Sequence, residues 1–189
     1  VDFPDNNASK KQIFEPRKLW DKGAKTPVNS GHSFSELWQV LQNKNGVRKL
    51  EWGTSMGKPA WFVYYNNYQV PEVYIATRDT ICRQQPYSLQ QMKQRAALLF
   101  NDPSYTISVQ SEFDNYYQSS GMFSRPLPVY KISWNNEAQN LMYVSPGTGK
   151  VLSSFTRNSK IHRWLYQGLH KFNFQLLVEH NWLRKLLLI

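Results

Sequence analysis

The chain has 189 residues, of which 41% are hydrophobic and 15% aromatic, enough apolar surface to exclude a disordered polymer and to fill a core. At roughly 100–200 residues per domain the length admits one domain or two small ones. Lys+Arg 23 against Asp+Glu 13 leaves a formal charge of +10, which selects an acidic partner such as nucleic acid or anionic lipid.

Residues 1–32 begin polar (Val1-Asp2-Phe3-Pro4-Asp5) and lack the basic and apolar regions of a signal peptide, so they read as an extended N-terminal segment. The first helix signal is Ser33-Phe34-Ser35-Glu36, a capping box in which hydroxyl and carboxylate each reach the other residue's amide. Phe34, Leu37, Trp38 and Leu41 follow at helical spacing, and Asn45-Gly46 stops the helix. Strands are then expected over 47–52, 60–65 and 72–77, with a degenerate last strand at Ile81-Cys82. Trp, Tyr, Phe, Val and Ile dominate them, as half-buried strands require.

The pattern recurs from Ser88-Leu89-Gln90-Gln91, a second capping box, with an apolar stripe of Leu89, Met92, Ala96, Leu99 and Phe100. Strands are expected over 105–110, 129–134, 140–144 and 151–155, with Asn135-Asn136 repeating the Asn66-Asn67 turn of the first copy. Two copies of helix plus antiparallel meander therefore occupy 33–87 and 88–158, predicting an α+β fold. They can pack as two sheets or as one continuous sheet. The connection over 111–127 is the candidate functional loop, because long ordered loops are often functional. Its aromatic residues are Phe113, Tyr116, Tyr117 and Phe123.

The period returns to helical over 159–178, where Ile161, Trp164, Leu165, Leu169, Phe172 and Leu176 share one arc of roughly 140°. That stripe is expected to pack on the sheets or on a bilayer surface, and truncating Trp164 or Leu169 is expected to cost about 2–4 kcal/mol, as core truncations do. Residues 150–189 hold seven basic groups against Glu179 alone, while 26–149 is nearly neutral. A nucleic-acid domain would more often spread its cations over the body, so that partner is not expected. His162 and His170 are the tempting chemical residues of this helix. Eight positions place them about 12 Å apart along the axis, too far to share one ion, so no metal site is expected. The single Cys82 excludes an internal disulfide and a Cys-based metal cluster, and it reads as a buried strand residue. The final run Trp182–Ile189 reads as the start of a transmembrane segment that is cut short. No G-x-S-x-G, H-E-x-x-H, Walker or Rossmann pattern occurs, and no catalytic residue is assigned.

Two stretches carry a resemblance: Tyr143-Val-Ser-Pro-Gly-Thr-Gly-Lys-Val151, and the helix from Ser159 that contains Arg163-Trp-Leu-Tyr-Gln-Gly-Leu-His170. They resemble the PepSY domain of the PepSY-associated transmembrane family, in which a Tyr-Val-Asp-Pro-x-Thr-Gly-x-Val hairpin precedes an Arg-Trp-Leu-Tyr-x-Gly-Leu-His-Ser helix. Ser145 stands for the usual Asp and Lys171 for the usual Ser. The close match covers about 35 residues, and the helix-and-meander pattern extends it more weakly over 33–155.

The resemblance implies tandem PepSY-like units on the periplasmic side of a bacterial inner membrane, held by flanking transmembrane helices, with 159–189 as the membrane-proximal helix. Arg184-Lys185 beside a span would ordinarily mark the cytoplasmic side, a rule that is weak for domains of this size. The implied role is non-catalytic, in iron–siderophore uptake or reduction carried out by the transmembrane part. No cofactor is implied in these residues, and haem would lie in that transmembrane part. The alternative is a peptidase-restraining or ligand-sensing module with a peptide ligand. Arg163, Trp164, Tyr166, His162 and His170 are the ligand or membrane-proximal candidates.

Overall fold

The computed structural model describes residues 16–17, 19–20, 34–66, 70–77, 80–100, 103–118, 125–169 and 182. The chain is α+β. Helix α1 (Phe34–Leu41) precedes strands β1 (Val47–Ser55), β2 (Lys58–Tyr65), β3 (Glu72–Ala76) and β4 (Ile81–Arg83). Helix α2 (Leu89–Leu99) precedes β5 (Tyr105–Gln110), β6 (Val129–Trp134), β7 (Leu141–Val144) and β8 (Val151–Phe155). Each set of strands forms its own antiparallel meander in chain order, so the described strands make two sheets and not one continuous sheet. Helix α3 (Arg157–Arg163) follows and passes into a π-helical stretch over Trp164–Leu169.

The expected second capping box is present. Ser88 Oγ accepts from the Gln91 amide at 3.3 Å and Gln91 Oε1 accepts from the Ser88 amide at 2.8 Å. Ser33 lies outside the described residues. Helix α3 starts two residues earlier than its apolar period suggests, because Thr156 and Ser159 form a further reciprocal cap there. Strand β4, degenerate in sequence, pairs fully with β3 through Tyr74, Ile75 and Ala76. The expected buried Cys82 is instead exposed, because β4 is an edge strand. The N-terminal segment, expected to be extended, is helical at Pro16, Arg17, Leu19 and Trp20.

Each helix covers one face of its own sheet. Leu37 and Leu41 of α1 bury against Val63 and Tyr74, while Phe34 and Trp38 of the same stripe stay about half exposed. Met92 and Ala96 of α2 are fully buried against Ile132, Met142 and Val144, with Trp20 closing that core. The second faces carry cores of their own: Ala60, Phe62, Val73 and Ile75 in the first sheet, and Tyr117, Val129, Leu141 and Tyr143 in the second.

The two halves are tied through the β7–β8 turn, residues 145–150. The tie starts at the β1–β2 hairpin, whose central residues Met56 (φ 51°) and Gly57 (φ 78°) are both left-handed, as the two-residue turn that suits strand twist demands. Beside it Ser55 Oγ donates to the Thr148 carbonyl at 2.7 Å and meets Tyr87 Oη at 2.8 Å. Tyr87 donates its amide to the Pro146 carbonyl at 2.9 Å, and Trp20 Nε1 donates to the Gly149 carbonyl at 2.8 Å. Lys150 Nζ stands 3.5 Å from the centre of the Phe62 ring. Gly149 has φ +66°, and a Cβ there would lie 2.6 Å from Met56 Cγ and 3.0 Å from Tyr87 Cε2. Gly149→Ala is therefore expected to destabilise the chain by about 2–4 kcal/mol, from left-handed strain plus overpacking. Gly147→Ala, whose Cβ would make ordinary contact with Val70 at 3.5 Å, is expected to cost less than about 1 kcal/mol. Urea denaturation of both variants checks the pair.

Candidate functional site

The site grows from Asp114, in the connection between β5 and β6. Its carboxylate accepts the Tyr116 and Tyr117 amides at 2.9 and 2.8 Å, a local turn that Asp favours because its side chain reaches the backbone two and three residues on. Tyr143 Oη of β7 donates to the same carboxylate at 2.7 Å, and Lys131 Nζ of β6 donates to Oδ2 at 2.7 Å. Burial works against the charge, yet these four donors outweigh it and hold the Asp114 carboxyl below the usual carboxylate range. Burial and the bond to Asp114 push the Tyr143 phenol upward. At neutral pH this keeps the Asp114 carboxylate charged and the Tyr143 phenol protonated, so the cluster holds a fixed negative charge and a fixed donor.

Three more cations stand on the aromatic residues of this region. Arg125 lies 5.2 Å from the Tyr117 ring centre and its Nη1 reaches Ser153 Oγ at 3.5 Å. Lys160 of α3 lies 5.6 Å from the Tyr116 ring centre and donates to the Gln139 carbonyl at 2.6 Å. Arg163 donates Nε to the Asn115 carbonyl at 3.2 Å and lies 5.4 Å from the Phe155 ring centre. Among the described residues, Lys131 alone of the four has a carboxylate within ion-pair distance. The others are fixed by neutral oxygens and aromatic faces.

The structure thus joins the candidate loop to the C-terminal helix at Arg163, Tyr116 and Asn115. Tyr117 is fully buried and stacks on Tyr143 at 4.9 Å, so it is core and not a ligand platform. Phe113 is exposed and stacks on Tyr117 at 6.1 Å. His162 stacks on Tyr166 at 6.3 Å, both exposed. Trp164 is 57% exposed, which corrects the expectation that it is core: the helix Arg157–Arg163 that leads into it buries none of its residues, and Ile161 of the same stripe is exposed as well. Phe123 and His170 lie outside the described residues, as does nearly all of the expected transmembrane start. No helix of the described residues is long and apolar enough to cross a membrane. No group of three or more His, Cys, Asp or Glu side chains that could hold a metal ion occurs among them.

A second feature had no sequence signal. Where β3 begins, Glu72 Oε2 accepts from Lys44 and Tyr74 at 2.8 Å and from Tyr65 at 3.1 Å, and Oε1 pairs with Arg83 at 2.6 Å. Glu72, Lys44, Tyr65 and Arg83 stand on the wall of a cleft of about 560 Å³ that extends to Val70 and Gly147. Burial raises the Glu72 pKa, but the bonds from Lys44 and both tyrosines prevail and lower it overall.

No family model, curated protein or solved structure matches the chain.

Because the folded Asp114 pKa lies below its unfolded value, its stabilisation is full above the unfolded pKa, about 3.9, and fades as pH falls through the folded pKa. Asp114→Asn is expected to destabilise by about 2–4 kcal/mol at pH 7, where it breaks charge-assisted bonds to half-buried donors. That deficit should shrink steadily below about pH 4. Urea midpoints of both proteins between pH 2.5 and 7 measure it, and a deficit independent of pH would contradict the assignment.

Proposed function

We propose that the chain is a non-catalytic, extracytoplasmic domain of a bacterial inner-membrane protein. It consists of two tandem PepSY-like units closed by a membrane-proximal helix. It serves iron–siderophore uptake or reduction carried out by a transmembrane part, and any haem belongs to that part. One observation carries this reading: α3 and its extension hold Ile161, Trp164 and Leu165 at 45%, 57% and 40% exposure, beside Lys160 and Arg163. An apolar row left in water and flanked by cations suits the interface of an anionic bilayer. The Tyr143–Val151 hairpin, which carries part of the resemblance, supplies the other support, since its turn ties the two helix-plus-meander halves.

Trp164→Ala is expected to leave the urea midpoint nearly unchanged, at less than about 1 kcal/mol, because the indole is exposed. It is expected to weaken co-sedimentation of the chain with phosphatidylglycerol-containing vesicles by about fivefold or more, as loss of an interfacial aromatic does. Equal vesicle binding by both proteins would refute the membrane-facing helix. For the redox arm, the intact membrane protein should show a haem Soret band and turn over ferric siderophore. Absence of both would remove it.

A further inference from the structure

Three separate pieces of chain bring four positive charges onto one aromatic cluster. Arg125 comes from the β5–β6 connection, Lys131 from β6, and Lys160 and Arg163 from α3. All four stand over aromatic faces that belong to one cluster or pack on it: Tyr117, Tyr143, Tyr116 and Phe155. Asp114 is the single carboxylate among them, and it is already saturated by two amides, a phenol and Lys131.

Like charges held together in a partly buried place repel. Burial first, then the charge of Lys131, lowers the Lys160 pKa; burial first, then the charge of Arg125, lowers that of Arg163. A surface evolved only for solubility would spread such groups apart. Here neutral oxygens of Gln139, Asn115 and Ser153 fix three cations without neutralising them. Arg and Lys donors fixed in this way match the tetrahedral, multiply charged oxygens of phosphate.

We infer that Arg125, Lys131, Lys160 and Arg163 form a binding site for a phosphate group, assembled where α3 crosses the β5–β6 connection and the second sheet. The phosphate is free in solution or carried by an anionic lipid headgroup. The lipid source rests on the membrane-facing reading proposed above, whereas the site itself does not.

Two arms separate these. In the first, inorganic phosphate is titrated into the 189-residue chain, following the backbone amide signals of Asn115, Tyr116, Tyr117 and Lys160 by NMR. Saturable shifts are expected, and Arg125→Gln with Lys160→Gln should weaken the affinity about 10–100-fold, as loss of two charge-assisted contacts does. In the second arm, the same proteins and Trp164→Ala are sedimented with phosphatidylcholine vesicles, with and without phosphatidylglycerol. If the double variant loses both phosphate and vesicle binding, the headgroup is the source. If it loses phosphate binding alone, the source is soluble phosphate. The inference is overturned if phosphate causes no saturable shift, or if the double variant binds it like the parent. Vesicle binding that depends on Trp164 and not on the two cations would then leave the membrane reading standing without the site. Should the double variant fail to fold, Arg125→Gln alone serves, because its one hydrogen bond to Ser153 is long at 3.5 Å. It should weaken phosphate binding about three- to tenfold, and an unchanged affinity would again overturn the inference.

Discussion

The molecule depends on one narrow joint, the place where the 145–150 turn of the second sheet enters beside the hairpin of the first. Tyr87 sits at its centre and uses every polar group it has. Its amide donates to Pro146, its carbonyl accepts from Tyr130, and its hydroxyl meets Ser55. Ser55 in turn holds Thr148, and Trp20 holds Gly149. Buried polar groups tied in this way must all be satisfied together, so a displacement of the turn would leave several donors and acceptors unpaired at once. The left-handed Met56 belongs to the same arrangement. A non-glycine residue in that conformation is strained by about 1–2 kcal/mol, and here its side chain fills the space that Gly149 leaves open.

The same economy shapes the second sheet. Its helix-covered face is apolar and closed by α2 and Trp20, whereas its other face is built on tyrosines whose hydroxyls need partners. Asp114 supplies one, and in doing so pins the β5–β6 connection to β7. Once that connection is pinned, its Asn115 carbonyl and Tyr116 ring offer α3 a place to rest Arg163 and Lys160. Cations that lie nearly 40 residues apart in the chain are thus gathered by packing that serves the core first. The first sheet repeats the chemistry at Glu72, where a carboxylate again accepts from a lysine and tyrosines. There Arg83 balances the charge beside an open cleft.

Much of the fold could be read directly. The strands over 105–110, 129–134 and 151–155 have the expected boundaries, because alternating aromatic and β-branched runs bounded by Asn, Pro and Gly leave little choice. The Ser88 cap was equally plain. Strand β4 was faint, since three residues carry no period and its existence depends on pairing with β3. The apolar stripe of Ile161, Trp164 and Leu165 marks one face of a helix, but periodicity does not say what that face meets, and the described sheets do not cover it. Tyr116 and Arg163 stand out in the sequence, but nothing in the chain announces that they meet. Asp114, Lys131 and Arg125 do not, because single charged residues in a polar loop or on a strand carry no spacing signal.

What the amino-acid order settled alone is local: two helices, the Ser88 cap of the second, the meanders that follow them, and a basic, apolar-striped helix near the end. Periodicity and capping act over a few residues, so a linear text contains them. Where the β7–β8 turn lodges, which aromatics become core, and how four cations come to stand on one aromatic cluster were decided only by tertiary packing. Each depends on contacts between residues far apart in the chain, whose geometry exists only once both sheets have closed.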